Sequence, residues 1–444
     1  MAVTSEAGIL AMLKTYYAKD GLQNLLYRND PLLKEIKKER VEGKQANFSA
    51  LYSRGGAVSA NFLTAKALAT KTAQAKEFQV TPGQMFSCCV FNNKELLASK
   101  SLRGAYINVA AAKFFASAES FRKTMAVALY GTGHGELFTT SDSITLTADD
   151  QNDITFPQSA IMGIDIGSQL EVKATAASTS VIATLTVNTI NGTTVNCTSD
   201  TDATAASGSV ICIAGCTDSN GNGLLPVGLA GWLPSGTVAA TDSFFGVNRS
   251  TARDRLAGVV TTATSGEAKY KTIERAILAL RRQGSLCDKI VMNDEDYLAL
   301  SQEIDKKTYF TKVDGGKRKS KSELGREGVG FSVSTNWVEN VIDSPYCPKG
   351  TAYVLSSDTI ALWTYTNADK IADGVSGNEA GKPEVNGETT VQDKPYQLLV
   401  DDMFTITPGT DTADGAAALV ALNFYGSFVV TNPSVNGVIK LNED

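Results

Sequence analysis

The chain has 444 residues, of which 43% are hydrophobic and 20% charged, which is the composition of an ordinary globular protein. This length allows about two to four domains, each with a buried core. No run approaches the ~20 apolar residues of a membrane span. The N-terminus also lacks the basic region, apolar core and cleavage site of a secretion signal.

The net charge of −6 is distributed unevenly along the chain. Residues 1–76 hold nine Lys and three Arg against six acidic residues, whereas residues 136–222 hold ten acidic residues and one Lys. The basic segment is therefore the part suited to contact with polyanions. The cysteine count is odd, seven in all, and the cysteines are scattered, which favours reduced thiols that act as small apolar residues.

The N-terminal quarter of the chain predicts extended structure. Residues 1–75 form a basic arm with two short helices, one over residues 9–16 and a second, charged one that opens at Asp30-Pro31 and runs to Glu42. Within residues 76–106, the stretch 76–104 alternates like strands on both sides of a Thr-Pro-Gly turn, and the Asn92-Asn93 pair suits a second turn. This pattern predicts a long and partly exposed β-hairpin.

The stretch from Asn108 to Tyr130 predicts a long helix. It contains neither Gly nor Pro and is rich in Ala. A helix of this length spans ~34 Å, enough to cross a domain, so we expect it to organise a domain at residues 107–135. Its apolar residues recur at spacings of three and four, which places them on one face: Phe114, Ala118, Phe121, Met125 and Leu129.

After this helix the composition changes abruptly. Residues 136–222 are rich in Thr, Ser, Asp, Asn and Gly, with short alternating strands at 181–187 and 210–213. This pattern is typical of a small β-barrel or sandwich inserted as a module. A connector with frequent Gly and Pro follows at residues 223–262.

Residues 263–384 have an α/β pattern. An amphipathic helix from residue 267 carries Arg281-Arg282 in its last turn, and Gly284 is placed to supply a left-handed cap. Residues 385–444 then carry the C-terminal strands, so the fold class is α+β. The other predicted elements are strands at 289–292, 329–334, 351–355, 360–365, 397–404, 417–424 and 427–430 and a helix at 294–304.

No motif in the chain supports catalysis, a cofactor or a metal. The single histidine, His134, lies in a Gly-rich turn without a nucleophile motif, and Gly131-x-Gly ends a helix instead of opening one after a strand. Asp218-Ser-Asn-Gly-Asn-Gly223 begins like a calcium loop, but Leu229 stands where the required Glu would be, so a turn is the simpler interpretation. Three cysteines match no zinc spacing and are interpreted as buried thiols: Cys197, Cys212 and Cys216.

Several sequence blocks follow one another in a recognisable order, the most informative in the connector and the others spread over nearly the full chain. They are Gly228-Leu-Ala-Gly-Trp-Leu-Pro234, Phe245-Gly-Val-Asn-Arg-Ser250, Arg255-Leu-Ala-Gly258, Arg54-Gly-Gly-Ala57, Asn93-Lys-Glu-Leu-Leu-Ala-Ser-Lys100, Ala128-Leu-Tyr-Gly131, Tyr425-Gly426, Asn432-Pro433 and Asn436-Gly-Val-Ile439. In this order the blocks resemble tailed-bacteriophage major capsid proteins with the Hong Kong 97-type fold.

The resemblance implies an architecture and a function. The family has an N-terminal arm, an extended loop called the E-loop, a peripheral domain with a long spine helix, and an axial domain. These roles fall on residues 1–75, 76–106, 107–135 and 263–384, with the inserted all-β domain at 136–222, the connector at 223–262, and 385–444 returning to the peripheral domain. The implied protein is a non-enzymatic major capsid protein that forms hexamers and pentamers of an icosahedral shell.

The resemblance also implies which partners the protein binds and where it is located. Besides copies of itself, these are packaged double-stranded DNA, bound without sequence preference, and portal, scaffolding or decoration proteins, but no membrane. The shell would be assembled in the host cytoplasm and form the virion capsid. Basic residues of the arm and the loop are the candidates for contacts with neighbouring subunits or DNA phosphates: Lys34, Lys37, Lys38, Arg40, Arg54, Lys94, Lys100 and Arg103.

Two other function classes compete with the shell. A secreted glycan-binding or adhesin-like protein would explain the Thr-rich module, but neither the missing secretion signal nor the long helix. A hydrolase would need paired carboxylates, because the chain has one histidine and no metal-ligand pattern. For the basic loop around residues 317–321, a solvated surface is the simpler alternative to nucleic-acid contact.

Overall fold

The computed structural model describes residues 31–41, 45–53, 58–68, 73–92, 109–305, 331–333, 336–338, 340–365, 404–408 and 417–442. The chain divides into two compact units. The first unit comprises Met1–Ala46, Gln79–Leu229 and Ala361–Val429, and the second comprises Asn47–Phe78, Ala230–Ile360 and Val430–Asp444. Each unit is therefore assembled from segments that are far apart in the sequence.

The helices are numbered here in chain order. Those of the described residues are α1 (Pro31–Glu35), α2 (Phe62–Leu68), α3 (Val109–Tyr130), α4 (Gln158–Ile161), α5 (Leu229–Trp232), α6 (Arg253–Leu256), α7 (Lys269–Arg282) and α8 (Asp294–Asp305). The predicted long helix is confirmed, starting one residue later than expected. Within the described ranges, no helix combines the length and the apolar character needed to cross a membrane.

The strands of the described residues are numbered in the same way. They are β1 (Lys37–Val41), β2 (Ala46–Ser53), β3 (Gln74–Val80), β4 (Gly83–Asn92), β5 (Glu136–Thr139), β6 (Ile144–Leu146), β7 (Gln151–Thr155), β8 (Gln169–Lys173), β9 (Val181–Asn191), β10 (Thr194–Ser199), β11 (Ala203–Ala205), β12 (Val210–Ile213), β13 (Val259–Thr262), β14 (Lys289–Met292), β15 (Phe331–Val333), β16 (Asn336–Val338), β17 (Asn340–Asp343), β18 (Thr351–Leu355), β19 (Ile360–Tyr365), β20 (Phe404–Pro408), β21 (Ala417–Val430) and β22 (Gly437–Lys440). With the helices, they give the α+β class that the sequence predicts.

Some predicted elements lie outside the described residues. They are the helix at 9–16, the distal part of the predicted hairpin at 93–106, the basic loop at 317–321 and the first part of the strand at 397–404. The two strands predicted at 417–424 and 427–430 are one continuous strand, β21, which passes through Gly426.

In the first unit, a five-stranded sheet packs against α3. Its order is β1-β19-β21-β20, and β4 also pairs with β21 over the full range from Gly83↔Gly426 to Asn92↔Ala417. The predicted apolar face of α3 is confirmed for Ala118, Phe121, Met125 and Leu129, which are all buried. A hydrogen bond of 2.8 Å joins the hydroxyl of Ser117 on α3 to that of Ser87 on β4.

In the described part of the hairpin expected at residues 76–106, the strands on either side of the Thr-Pro-Gly turn do not pair with each other, and residues 93–106 lie outside the described residues. The two strands flanking Thr81-Pro-Gly83 exist, but β3 pairs with β2, and β4 pairs with β21. The alternating pattern of this stretch therefore predicts strands correctly, whereas the turn residues do not identify their partners.

A second sheet of the first unit contains residues 136–213. Six strands follow the order β5-β12-β8-β9-β10-β7, and a two-stranded sheet pairs β11 with β6. Alternation along β9 directs Ala183, Leu185 and Val187 inward, and all three are buried. The inward side chains of these strands meet those of neighbouring turns in one core with Phe156 and Ile211.

The second unit contains a mixed five-stranded sheet with the order β13-β22-β18-β14-β17. Helix α7 buries Ile273, Ile277 and Leu280 in a core shared with Ile290 of β14 and Ile439 of β22. Gly284 has φ +86°, and the amide of the next residue donates to the carbonyl of Leu280, so the predicted cap is confirmed. Strand β22 belongs to this sheet, which differs from the expected return of all C-terminal strands to the peripheral domain.

Candidate functional site

The arm segment that carries the candidate basic residues is a short helix followed by a strand. Helix α1 ends at Glu35, and β1 runs parallel to β19 in a register from Lys37↔Ala361 to Val41↔Tyr365. The indole N–H of Trp363 donates to Glu39 Oε2 at 3.0 Å. The expected charged helix is confirmed at its start, Pro31, but its extension over residues 37–41 is wrong, because pairing with a distant strand outweighs local helix propensity there.

Lys38 does not present its charge to solvent. Alternation along β1 points its side chain inward, where it is 5% exposed, and its Nζ donates to the carbonyl of Leu33 at 2.9 Å. Burial lowers the pKa of Lys38 from 10.5 to about 8. The interpretation of Lys38 as a residue that faces DNA or a neighbour is thus corrected for this subunit.

Lys38 makes the stability of the first unit depend on pH. Because its pKa is about 8 in the folded chain and 10.5 otherwise, the unfolded chain binds more protons between these values. Stability should therefore rise as pH increases through this window, by at most about 3 kcal/mol. We expect Lys38→Met to remove this rise and to increase stability at pH 7, as measured by urea unfolding from pH 7 to 10.5. Equal slopes for both proteins would contradict the assignment.

Two of the other candidate residues are exposed in β1. Lys37 lies with its Nζ 2.6 Å from Glu39 Oε1, and its side chain is 70% exposed. Arg40 is also exposed. Lys34 belongs to α1, and the remaining candidates lie outside the described residues: Arg54, Lys94, Lys100 and Arg103. The structure therefore places Lys37 and Arg40 on one strand, three positions apart and hence on opposite faces of it.

The connector motif residues form an aromatic cluster in the second unit. Trp232 is fully buried, and its ring lies 5.9 Å from Phe48, 5.5 Å from Phe78, 4.9 Å from Phe244 and 5.4 Å from Phe245. Such tilted and edge-on arrangements are the preferred ones for aromatic pairs. The cluster joins the strand pair β2–β3 to the connector.

A buried ion pair closes this cluster. The guanidinium of Arg249 lies 4.0 Å from the centroid of the Phe244 ring, and its Nε donates to Asp242 Oδ2 at 2.8 Å. Its Nη1 donates to the carbonyl of Gly231 at 2.7 Å. Since a buried guanidinium requires several acceptors, this arrangement fixes the shape of the connector. The resemblance marked Gly231 and Arg249 but not Asp242 or Phe244, and only the structure shows that these residues share one core.

His134 and Asp218 hold turns together in the first unit. The Nδ1 atom of His134 lies 2.9 Å from the hydroxyl of Thr132, and its Nε2 lies 3.2 Å from the carbonyl of Gly221. Asp218 accepts from the amides of Asn220 and Asn222, which confirms the predicted turn.

The cysteines of the module are buried thiols. Burial raises the pKa of Cys212 and of Cys216 to about 12, so both remain protonated at neutral pH. Cys197 is also buried, and burial raises its pKa to about 11. Across the part of the chain that the structure describes, no group of three or more His, Cys, Asp or Glu side chains is placed to hold a metal ion.

Comparison with known proteins shows that this chain is similar in structure to solved phage proteins. Neither protein-family models nor curated proteins match the sequence. Among solved structures, the cyanophage A-1(L) capsid asymmetric unit is similar with a TM-score of 0.51 at 14% identity, covering 94% of this chain and 93% of that one. A chain of Mycobacterium phage Bobi matches with a TM-score of 0.41 at 10% identity over 100% of both chains. The chain therefore has the fold of a phage capsid protein, as its sequence blocks suggested.

Proposed function

We propose that this chain is a major capsid protein that assembles with copies of itself into the icosahedral head of a tailed double-stranded DNA bacteriophage. The observation that carries the proposal is the likeness to the cyanophage capsid chain over more than nine tenths of both chains. Its role is structural and non-enzymatic. The protein would reside in the virion capsid after assembly in the host cytoplasm.

The finer architecture that we propose is of the Hong Kong 97 type. Helix α3 and the five-stranded sheet of the first unit would form the peripheral domain, and strands β5–β12 the inserted all-β domain. The second unit, with α7 and α8 beside its mixed sheet, would supply the axial domain. The expected axial domain covered residues 263–384. The assignment extends it in both directions, because β13 (residues 259–262) and β22 (residues 437–440) pair in the sheet of the second unit.

For DNA, we propose non-specific contact through the basic arm. Lys37 and Arg40 are exposed on β1, and no aromatic side chain alternates with them in the strand, so phosphates are the expected targets. Portal, scaffolding or decoration proteins are further proposed partners. The glycan-binding alternative gains no support, because the likeness covers nearly the whole chain and not the Thr-rich module alone.

Negative-stain electron microscopy of the purified, concentrated full chain tests the proposed function. We expect closed shells or capsomers, because a capsid chain is built to meet copies of itself. A variant that lacks residues 1–30 keeps β1 and the aromatic cluster, and we expect it to fold but to close fewer shells. A full chain that stays monomeric at high concentration, by light scattering and by microscopy, would contradict the proposal.

A further inference from the structure

The hairpin of β9 and β10 ends in a turn that contains an Asn-Gly pair. Asn191, the last residue of β9, pairs with Thr194, the first residue of β10, so the turn consists of two residues, 192 and 193. Gly192 has φ +63°, which a turn of this kind favours at its first position. All four residues from 191 to 194 are exposed. The pair therefore lies at the exposed end of the hairpin.

An Asn-Gly pair carries the groups for a reaction that changes the chain covalently without an enzyme. The backbone nitrogen of the glycine attacks the side-chain carbonyl carbon of the asparagine. A new N–C bond forms, the bond to the side-chain nitrogen breaks, and ammonia leaves with the proton of the glycine amide. Water then opens the resulting succinimide ring on either side, which gives aspartate or isoaspartate. Glycine favours ring closure, because no side chain obstructs it and its backbone rotates most freely.

The described residues contain four such pairs, which begin at Asn191, Asn220, Asn222 and Asn436. For the reaction, the asparagine side chain has to turn onto the backbone nitrogen of the next residue, and that nitrogen has to be free of other bonds. The contacts of each pair therefore decide which of them reacts.

The pair at Asn436 is held by the core of the second unit. The side chain of Asn436 is fully buried, and its Nδ2 donates to Thr359 Oγ1 at 2.8 Å. Its Oδ1 accepts from the amide of Ser356, also at 2.8 Å. The side chain cannot turn onto Gly437 without breaking both hydrogen bonds, so this pair is protected.

The two pairs in the turn at residues 218–223 are held by Asp218. The side chain of Asn222 donates to Asp218 Oδ2 at 2.9 Å. The amide of Gly221, which would have to attack Asn220, donates to the carbonyl of Asp218 at 3.1 Å. Both pairs therefore lose hydrogen bonds before they react.

The pair at Asn191 has none of these restraints. Within the part of the chain that the structure describes, neither the side chain of Asn191 nor the amide of Gly192 makes a hydrogen bond. A Cβ atom placed on Gly192 would meet no atom within 4 Å, so the space around the turn is open. The exposed end of a hairpin also opens locally at low free energy, which frees the side chain to reach the nitrogen.

We propose that Asn191 is a site of spontaneous deamidation, with water as the co-reactant. Either product adds one negative charge to residues 136–222, which already hold ten acidic residues and one Lys. Isoaspartate also carries the backbone through its side-chain carbon, which lengthens the turn and disturbs the pairing of β9 with β10. The site thus gives the chain a covalent change that accumulates with time after folding, independently of the proposed function.

Peptide mapping by mass spectrometry tests the proposal on the full chain, incubated in mildly alkaline buffer with and without urea. We expect residue 191 to be converted in the folded protein within about tenfold of its rate in the unfolded protein, whereas folding should slow conversion of Asn436 at least about hundredfold. The isoaspartate product should also accept a methyl group from S-adenosylmethionine in the presence of an isoaspartate-specific carboxyl methyltransferase.

Asn191→Gln is the matched variant, because glutamine keeps the amide but would have to close a larger and less favourable ring. It should remove most of the methyl incorporation and leave the conversion of Asn220 and Asn436 unchanged. Protection of residue 191 as strong as that of Asn436, or methyl incorporation that is unchanged in Asn191→Gln, would overturn the inference. Neither result bears on whether the chain assembles into shells.

Discussion

Gly228→Ala is expected to destabilise the first unit by at least about 3 kcal/mol and to reduce the yield of folded protein. A Cβ atom at this position would lie 2.1 Å from the carbonyl oxygen of Ala128 and 2.3 Å from that of Leu129. Both are backbone atoms at the end of α3, so they cannot move away as a flexible side chain would. Urea unfolding and the soluble yield measure the effect.

Gly236→Ala is the matched control, because a Cβ at Gly236 would meet no atom within 4 Å. It should change stability by less than about 0.5 kcal/mol. A Gly228→Ala protein as stable as this control would show that the connector and the end of α3 do not approach each other as closely as described.

Trp232→Ala is expected to cost the second unit about 3–5 kcal/mol, the usual range for a large buried aromatic residue. Trp232 is fully buried and contacts four other aromatic rings, so its removal leaves a cavity between the strand pair β2–β3 and the connector. Its loss should also release the strand pair β2–β3 from the connector. Guanidinium unfolding measures the stability, and near-ultraviolet circular dichroism the aromatic packing.

Leu286→Ala gives the comparison for a large apolar residue that is exposed and not buried. It should leave both the unfolding curve and the aromatic spectrum unchanged. If Trp232→Ala had an equally small effect, the aromatic cluster could not be the core of the connector.

For some elements, the local sequence pattern was sufficient to predict where they begin and end. Strands β12, β14, β18 and β19 begin and end at the predicted residues, because each is a short apolar run bounded by turn residues. Helix α3 begins one residue later than predicted, and its apolar spacing identifies the apolar residues buried up to Met125, after which every residue to Tyr130 is buried. These elements require no knowledge of their partners.

Elements that depend on distant partners were not predictable in this way. The segment Lys37-Lys-Glu-Arg-Val41 has a charged sequence that favours a helix or a solvated surface, and only its pairing with β19 makes it a strand. The burial of Lys38 follows from that pairing. Likewise, the five rings of the aromatic cluster come from residues 48, 78, 232, 244 and 245, and no local pattern joins them.

Strand β22 lies between β13 and β18 inside the sheet of the second unit. During synthesis on the ribosome, β13 and β18 emerge well before residues 437–440, so the centre of this sheet stays open until translation has reached Lys440. A nascent chain thus cannot complete the sheet of the second unit before residues 437–440 have been made. The fold itself therefore delays completion of the second unit until synthesis has passed the last strand of the sheet.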